Sequence, residues 1–173
     1  MSNFDKRAFR DALGSYATGV AVITVRGRDG ALAGITINSF ASVSLDPPLV
    51  LWSLSLDSPS LPPMRNCGHY AINVLAQDQQ ALSERFAGTR ADRFAGVEFT
   101  PGAGDAPLLS GCCAWFECHN VAHHPGGDHL IFVGQVDGFA RFDRPPLVFQ
   151  GSEYHRLGRP LTEQITGQLG DQR

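Results

Sequence analysis

Between Gly34 and Ser60 the chain reads GITINSFASVSLDPPLVLWSLSLDSPS, and most of its candidate binding chemistry lies there. Thr36, Asn38, Ser39, Ser42 and Ser44 fill the middle of the stretch, between an apolar strand before them and the apolar strand Leu49 to Leu54 after the turn Asp46-Pro47-Pro48. Small hydroxyls and one amide at strand ends offer donors and acceptors with little bulk, which suits a flat heteroaromatic ligand laid against the backbone. The same residue types also cap turns locally, and both readings stand on these residues alone. Ser53, Ser55, Asp57, Ser58 and Ser60 continue the polar run, and Pro59, Pro62 and Pro63 mark a loop that opens a helix. Backbone N–H groups at such a start can hold a phosphate.

Histidine is the second chemical resource. His129 follows Gly126-Gly127-Asp128 at a hairpin tip, where Asp128 can set its protonation. His119, His123 and His124 would form a metal site on a helix, but on a strand four residues span about 13 Å and one ion cannot be shared. The strand reading is preferred, and no metal is expected. The chain carries no G-x-S-x-G, Walker loop or G-x-G-x-x-G after a strand, so hydrolase, kinase and Rossmann readings have no motif to rest on.

Four strings in order carry a family resemblance: TGVAVITV (Thr18 to Val25), GITINSFASVSLDPPLVLWS (Gly34 to Ser53), YAINVLAQDQQALSERFAG (Tyr70 to Gly88) and GGDHLIFVGQV (Gly126 to Val136). Together they resemble the short-chain flavin reductases, the small reductase components of two-component flavin monooxygenases, over roughly Phe9 to Leu157. The resemblance implies a split barrel with flavin at a dimer interface. It implies that Thr36, Ile37, Asn38 and Ser39 meet the isoalloxazine edge, that Ser53, Leu54 and Ser55 lie along the flavin, and that Ser58 and Ser60 lie near its phosphate. By the same resemblance Gly127, Asp128 and His129 face the nicotinamide, with His129 the residue nearest the chemistry, and Tyr154 covers the nicotinamide or flavin edge. The implied activity is NAD(P)H:flavin oxidoreduction, with FMN or FAD as flavin and NADH as reductant, NADPH remaining open, and with reduced flavin passing to a partner monooxygenase. Two alternatives stand beside it: a reductase with tightly bound FMN serving another acceptor such as a cobalt corrinoid, and a non-enzymatic flavin-binding module.

These residues need a frame. Phe9, Leu13 and Tyr16 recur at helical spacing in Phe4 to Tyr16, with Asp5 in the first turn, and predict an amphipathic helix lying on the domain. Val20 to Val25 and Ala31 to Ile37 read as strands joined at Asp29-Gly30. Met64 to Cys67 reads as a short helix, Tyr70 to Leu75 as a strand whose Asn73 bridges backbone, and Gln77 to Phe86 as a second helix stopped at Gly88. Arg85, Arg90 and Arg93 follow, any of which can neutralise a phosphate. Val97 to Phe99, Cys112 to His123, Leu130 to Phe139 and Leu147 to Gln150 complete about seven strands, with His124 to Asp128 as a turn and a weak helical pattern near Leu161 to Leu169. Hairpins without repeated strand–helix–strand units predict a mainly β domain with peripheral helices, an antiparallel split β-barrel of FMN-binding type.

Composition sets the remaining bounds. A chain of 173 residues reads as one domain, with a core over about 9–157 and a tail over 158–173. Hydrophobic residues at 43% against 18% charged leave apolar surface for a homodimer interface as well as a core. A net charge of −3 supplies no basic field for nucleic acid or an anionic membrane. No apolar run approaches the ~20 residues of a membrane span, and the N-terminus lacks the pattern of a signal peptide, which predicts a cytoplasmic protein. Cys67, Cys112, Cys113 and Cys118 form no C-x-x-C pair and read as free, mostly buried thiols.

Overall fold

The structure, a computed structural model, describes residues 4–89 and 92–160. Arg90 and the pattern near Leu161 to Leu169 lie outside the described residues.

The chain opens with helix α1 (Lys6–Gly14). Asp5 is its N-cap and not a first-turn residue: the carboxylate accepts from the backbone N–H of Arg7 at 2.9 Å and Ala8 at 3.2 Å. α1 buries no residue, so its apolar side is not laid on the domain as the periodicity suggests.

Among the described residues twelve strands follow, against about seven in the sequence reading. β1 (Thr18–Gly19), β2 (Ala21–Arg26) and β3 (Leu32–Ile37) come first, with Gly30 at φ 80° taking the left-handed position of the β2–β3 turn. The polar insert does not simply separate two strands. Part of it is itself strand β4 (Ala41–Leu45), paired with β5 (Pro48–Ser55). β4 was hidden because it is an exposed edge strand without the alternation of a half-buried one. Helix α2 (Leu61–Asn66), β6 (His69–Val74) and α3 (Gln80–Ala87) match the expected elements to within a few residues. β7 (Phe99–Pro101) and β8 (Pro107–Leu109) form a small ribbon, and Cys112 and Cys113 lie just before β9 (Ala114–Gly126), not in it. β9 and β10 (His129–Arg141) make the longest hairpin, and β11 (Leu147–Gln150) and β12 (Glu153–Arg156) close the chain. His123, His124, Pro125 and Gly126 therefore belong to β9, and the turn is only Gly127-Asp128.

The main sheet runs β3-β2-β6-β9-β10-β5-β4, with every pair antiparallel. Its edges, β3 and β4, are joined in sequence by Asn38-Ser39-Phe40, so the sheet must curl back on itself. Ser39 fastens that curl. Its Oγ accepts from the Ser53 N–H at 3.0 Å and donates to the Ser53 carbonyl at 3.1 Å, bridging the end of β3 to β5 where no ladder exists. The result is a split barrel and not a closed one.

Inside the curl, Trp52 and Phe132 face each other across the β5–β10 ladder and stack at 4.1 Å, while Tyr70 meets Trp52 edge-on at 5.6 Å. Asn73 is fully buried, and its amide donates to the carbonyls of Val22 and Pro107 and to Thr24 Oγ1, while its oxygen accepts from the Leu109 N–H at 2.7 Å. It is the backbone bridge that the sequence predicts, tying β8 to β2 and β6. All four cysteines are free, and burial pushes the Cys112 and Cys118 thiols up to about 12, which leaves them unreactive.

Candidate active site

The β5–β10 ladder sets Ser55 directly opposite His129. β10 enters this ladder from the two-residue turn that joins it to β9, in which Gly127 holds φ 71°, a conformation glycine adopts freely. Leu56 N–H then donates to the Asp128 carbonyl at 2.9 Å, anchoring the turn to the end of β5. The His129 ring bonds through Nδ1 to Asp128 Oδ1 at 2.7 Å. This hydrogen bond, with the imidazole's charge, holds the Asp128 carboxyl below the usual carboxylate range. The orientation leaves Nε2 as the histidine atom free to address a ligand. Ser53 and Ser55 are half-buried on the side of β5 away from the core, whereas the Leu54 side chain is in the core and offers a ligand only its backbone.

A second group of predicted residues meets in a cleft of about 180 Å³ lined by Thr36, Ile37, Asn38, Ser83, Phe149 and Tyr154. Thr36 Oγ1 donates to the Ser83 carbonyl at 2.7 Å, and Ser83 Oγ bonds the Tyr154 hydroxyl at 2.9 Å. Phe149 packs edge-on against Tyr154 at 5.3 Å. Two aromatic rings, an amide and fixed hydroxyls make walls for a planar ligand with polar edges. Sequence reasoning missed Ser83 and Phe149. Their signal, one serine on the inner side of a helix and one aromatic in a short strand, does not differ from ordinary core packing.

The third group is Ser60, Arg93 and the backbone at Gly34, which border a neighbouring cleft of about 260 Å³. Arg93 Nη1 donates to the Gly34 carbonyl at 2.6 Å and to Ser60 Oγ at 3.3 Å. Of the two described candidate arginines, Arg93 is thereby positioned at a site residue, while Arg85 donates to the Ala95 carbonyl. The expected use of backbone N–H groups at the start of α2 does not hold. Ser58, Ser60, Leu61 and Met64 donate to Ser55 O, Ser58 Oγ, Ser58 O and Ser60 O, and Pro59, Pro62 and Pro63 have no N–H to give. An anion here would meet the Arg93 guanidinium and the Ser60 hydroxyl.

His119, His123 and His124 do not converge. His123 Nε2 turns to Asn120 Oδ1 at 2.9 Å, and burial holds its basicity down, helped by the charges of Arg65 and His124.

An antiparallel split barrel whose polar strand ends border clefts for a planar, anionic ligand is the frame of a flavin- or nucleotide-binding protein. The chain matches the family described as flavin reductase like domain over residues 13–158, and it belongs to that family. It is 45% identical over 156 residues to the FMN reductase (NADH) SmoA of Agrobacterium fabrum, covering 90% of this chain and 88% of the relative. It is 41% identical over 160 residues to the reductase component of the flavin-dependent trigonelline monooxygenase of Acinetobacter baylyi, covering 92% of this chain but only 52% of that protein. Among solved structures, the NADH:FAD oxidoreductase of Streptomyces globisporus in complex with NAD and FAD fragments superposes with a TM-score of 0.85 at 35% identity, covering 89% of this chain and 93% of that one.

Proposed function

We propose that the protein is an NADH:flavin oxidoreductase that reduces FMN or FAD and supplies the reduced flavin to a partner monooxygenase. The observation that carries this reading is the meeting of Thr36, Ile37 and Asn38 with Tyr154, from opposite ends of the chain, in one cleft of a flavin-reductase fold. The flavin would supply the hydride-accepting chemistry. The chain's own residues would position it: Thr36, Ile37, Asn38 and Ser39 along the ring edge, Ser53, Ser55 and the Leu54 backbone along its length, and Ser58, Ser60 and Arg93 at the phosphate. Gly127 and Asp128 would hold His129 so that its Nε2 hydrogen-bonds the nicotinamide nucleotide, and Tyr154 would cover the outer edge. No side chain need exchange a proton in a hydride step, so the protein's contribution is alignment and the exclusion of water.

The reading extends to the assembly. Phe9, Leu13 and Tyr16 in and beside α1 are 48%, 57% and 79% exposed, and Leu45 and Phe139 are 95% and 77% exposed. A nine-residue helix that buries nothing is marginal by itself, and a second copy would cover it. The unit would then be a homodimer of single-domain chains, with its core over about 9–157. Among the described residues no helix is long and apolar enough to cross a membrane. We place the protein in the cytoplasm, where NADH is available and free thiols stay reduced.

The test is loss of NADH absorbance on mixing with purified protein, run without flavin, with FMN and with FAD. Oxidation that requires added flavin is expected and identifies the preferred form. Oxidation without added flavin would replace the diffusing-flavin reading with a bound prosthetic group. No oxidation, with flavin bound, would overturn the enzymatic reading.

A further inference from the structure

The outward face of the main sheet carries a group that the flavin chemistry does not use. His69 of β6 and His119 of β9 are direct cross-strand partners, their rings 4.7 Å apart. Asp137 of β10 stands beside them because of a bulge. Val136 pairs with Cys118 and Gly138 with Glu117, so Asp137 is the extra residue, and a bulge re-aims such a side chain. One ligand atom from each of the three lies within 4.8 Å of the others.

We propose that His69, His119 and Asp137 form a binding site for a divalent first-row transition ion of the Zn²⁺ type. Two imidazole nitrogens and one carboxylate oxygen suit Zn²⁺, Ni²⁺ or Cu²⁺, whereas Mg²⁺ and Ca²⁺ take oxygen-rich sites. Donors about 2.1 Å from a tetrahedral ion stand roughly 3.4 Å from one another, so rotation of exposed side chains closes the remaining gap. His119 and Asp137 are exposed and His69 is half-buried, which gives the ion an entry path and leaves a coordination position for water. The carboxylate forms no ion pair with either imidazole, or with any cation among the described residues, so the space between the three is not already closed by charge pairing. Gly104 adds to the arrangement. It holds φ 59°, and a Cβ there would fall 2.8 Å from His69 Cβ and 3.1 Å from its Nδ1, so the absence of a side chain is what lets this imidazole sit where it does. None of the three ligands lines the clefts described above, and the ion would act as a clip across adjacent strands β6, β9 and β10.

Calorimetric titration of the full, untagged chain with ZnCl₂ tests this, with MgCl₂ as control and Co²⁺ absorption as a second readout of coordination. The expected result is one Zn²⁺ per chain, no Mg²⁺ response, and a d–d band from bound Co²⁺. H119A and D137N should each weaken Zn²⁺ binding more than about tenfold, with the fold unchanged by circular dichroism, while H124A leaves binding intact. Absence of Zn²⁺ binding by the wild-type chain would overturn the proposal. So would loss of binding in H124A with retention in H119A, which would put the ion on the hairpin instead.

Discussion

At the scale of the residue, the site divides between groups that hold structure and groups still free to hold a ligand. Ser39 and Thr36 are committed to backbone carbonyls, so removing either hydroxyl disturbs the frame as well as the cleft. Asn38 is exposed and lines the cleft, which makes it the cleaner probe. N38A should raise the dissociation constant for FMN about twofold to tenfold, the equivalent of one hydrogen bond worth about 0.5–1.5 kcal/mol, with an unchanged melting temperature. Fluorescence titration checks the first part and thermal unfolding the second. His129 is anchored through one nitrogen to Asp128, leaving the other outward. H129A should therefore raise KM for NADH by a similar factor and alter flavin affinity less. Steady-state kinetics with the flavin titrated in parallel distinguishes the two, and the reverse pattern would remove His129 from the nicotinamide.

At the scale of the element, the long β9–β10 hairpin positions both the site and the core. Gly134 shows how tightly it is fitted: a Cβ there would overlap the Tyr70 hydroxyl, and Tyr70 is fully buried against Trp52. G134A should cost at least about 1–3 kcal/mol by overpacking, read as a lower urea midpoint with an unchanged slope. The sequence showed this hairpin clearly because its apolar residues alternate over many positions and Gly127 marks its turn. It did not show β4, β8 or β12, which are short or exposed and owe their strand conformation to a partner strand and not to their own pattern. The same limit applies to the site. Thr36, Asn38 and Ser55 stood out because their residue types are unusual at strand ends. Ser83, Phe149, the Asp137 bulge and the His69–His119 pairing depend on register between distant segments, which no local spacing reveals. The start of α2 looked suited to an anion from its prolines, yet the neighbouring Ser55, Ser58 and Ser60 acceptors take up every N–H that the prolines leave.

At the scale of the whole molecule, α1 and the exposed Leu45 and Phe139 are the surfaces that a second copy would cover in the proposed homodimer. Sedimentation should give a dimer, and F9D/L13D should shift it toward monomer while reducing helical signal, because α1 would lose the surface that holds it. Retention of the dimer would move the interface to the β4 and β10 residues. A closed barrel resists widening because each strand is laddered to two neighbours. This one is a hoop with a clasp: β3 and β5 share no ladder among the described residues, and beside the covalent link Asn38-Ser39-Phe40 they are tied by the Ser39 hydroxyl. Undoing its two hydrogen bonds costs about 1–3 kcal/mol, far less than parting a ladder, and that is an amount of work that ligand binding can supply. The wall proposed to carry the flavin thus includes the most compliant seam of the hoop, able to yield to ring systems of different bulk, while the stacked Trp52 and Phe132 stiffen β5 and β10 from the core side.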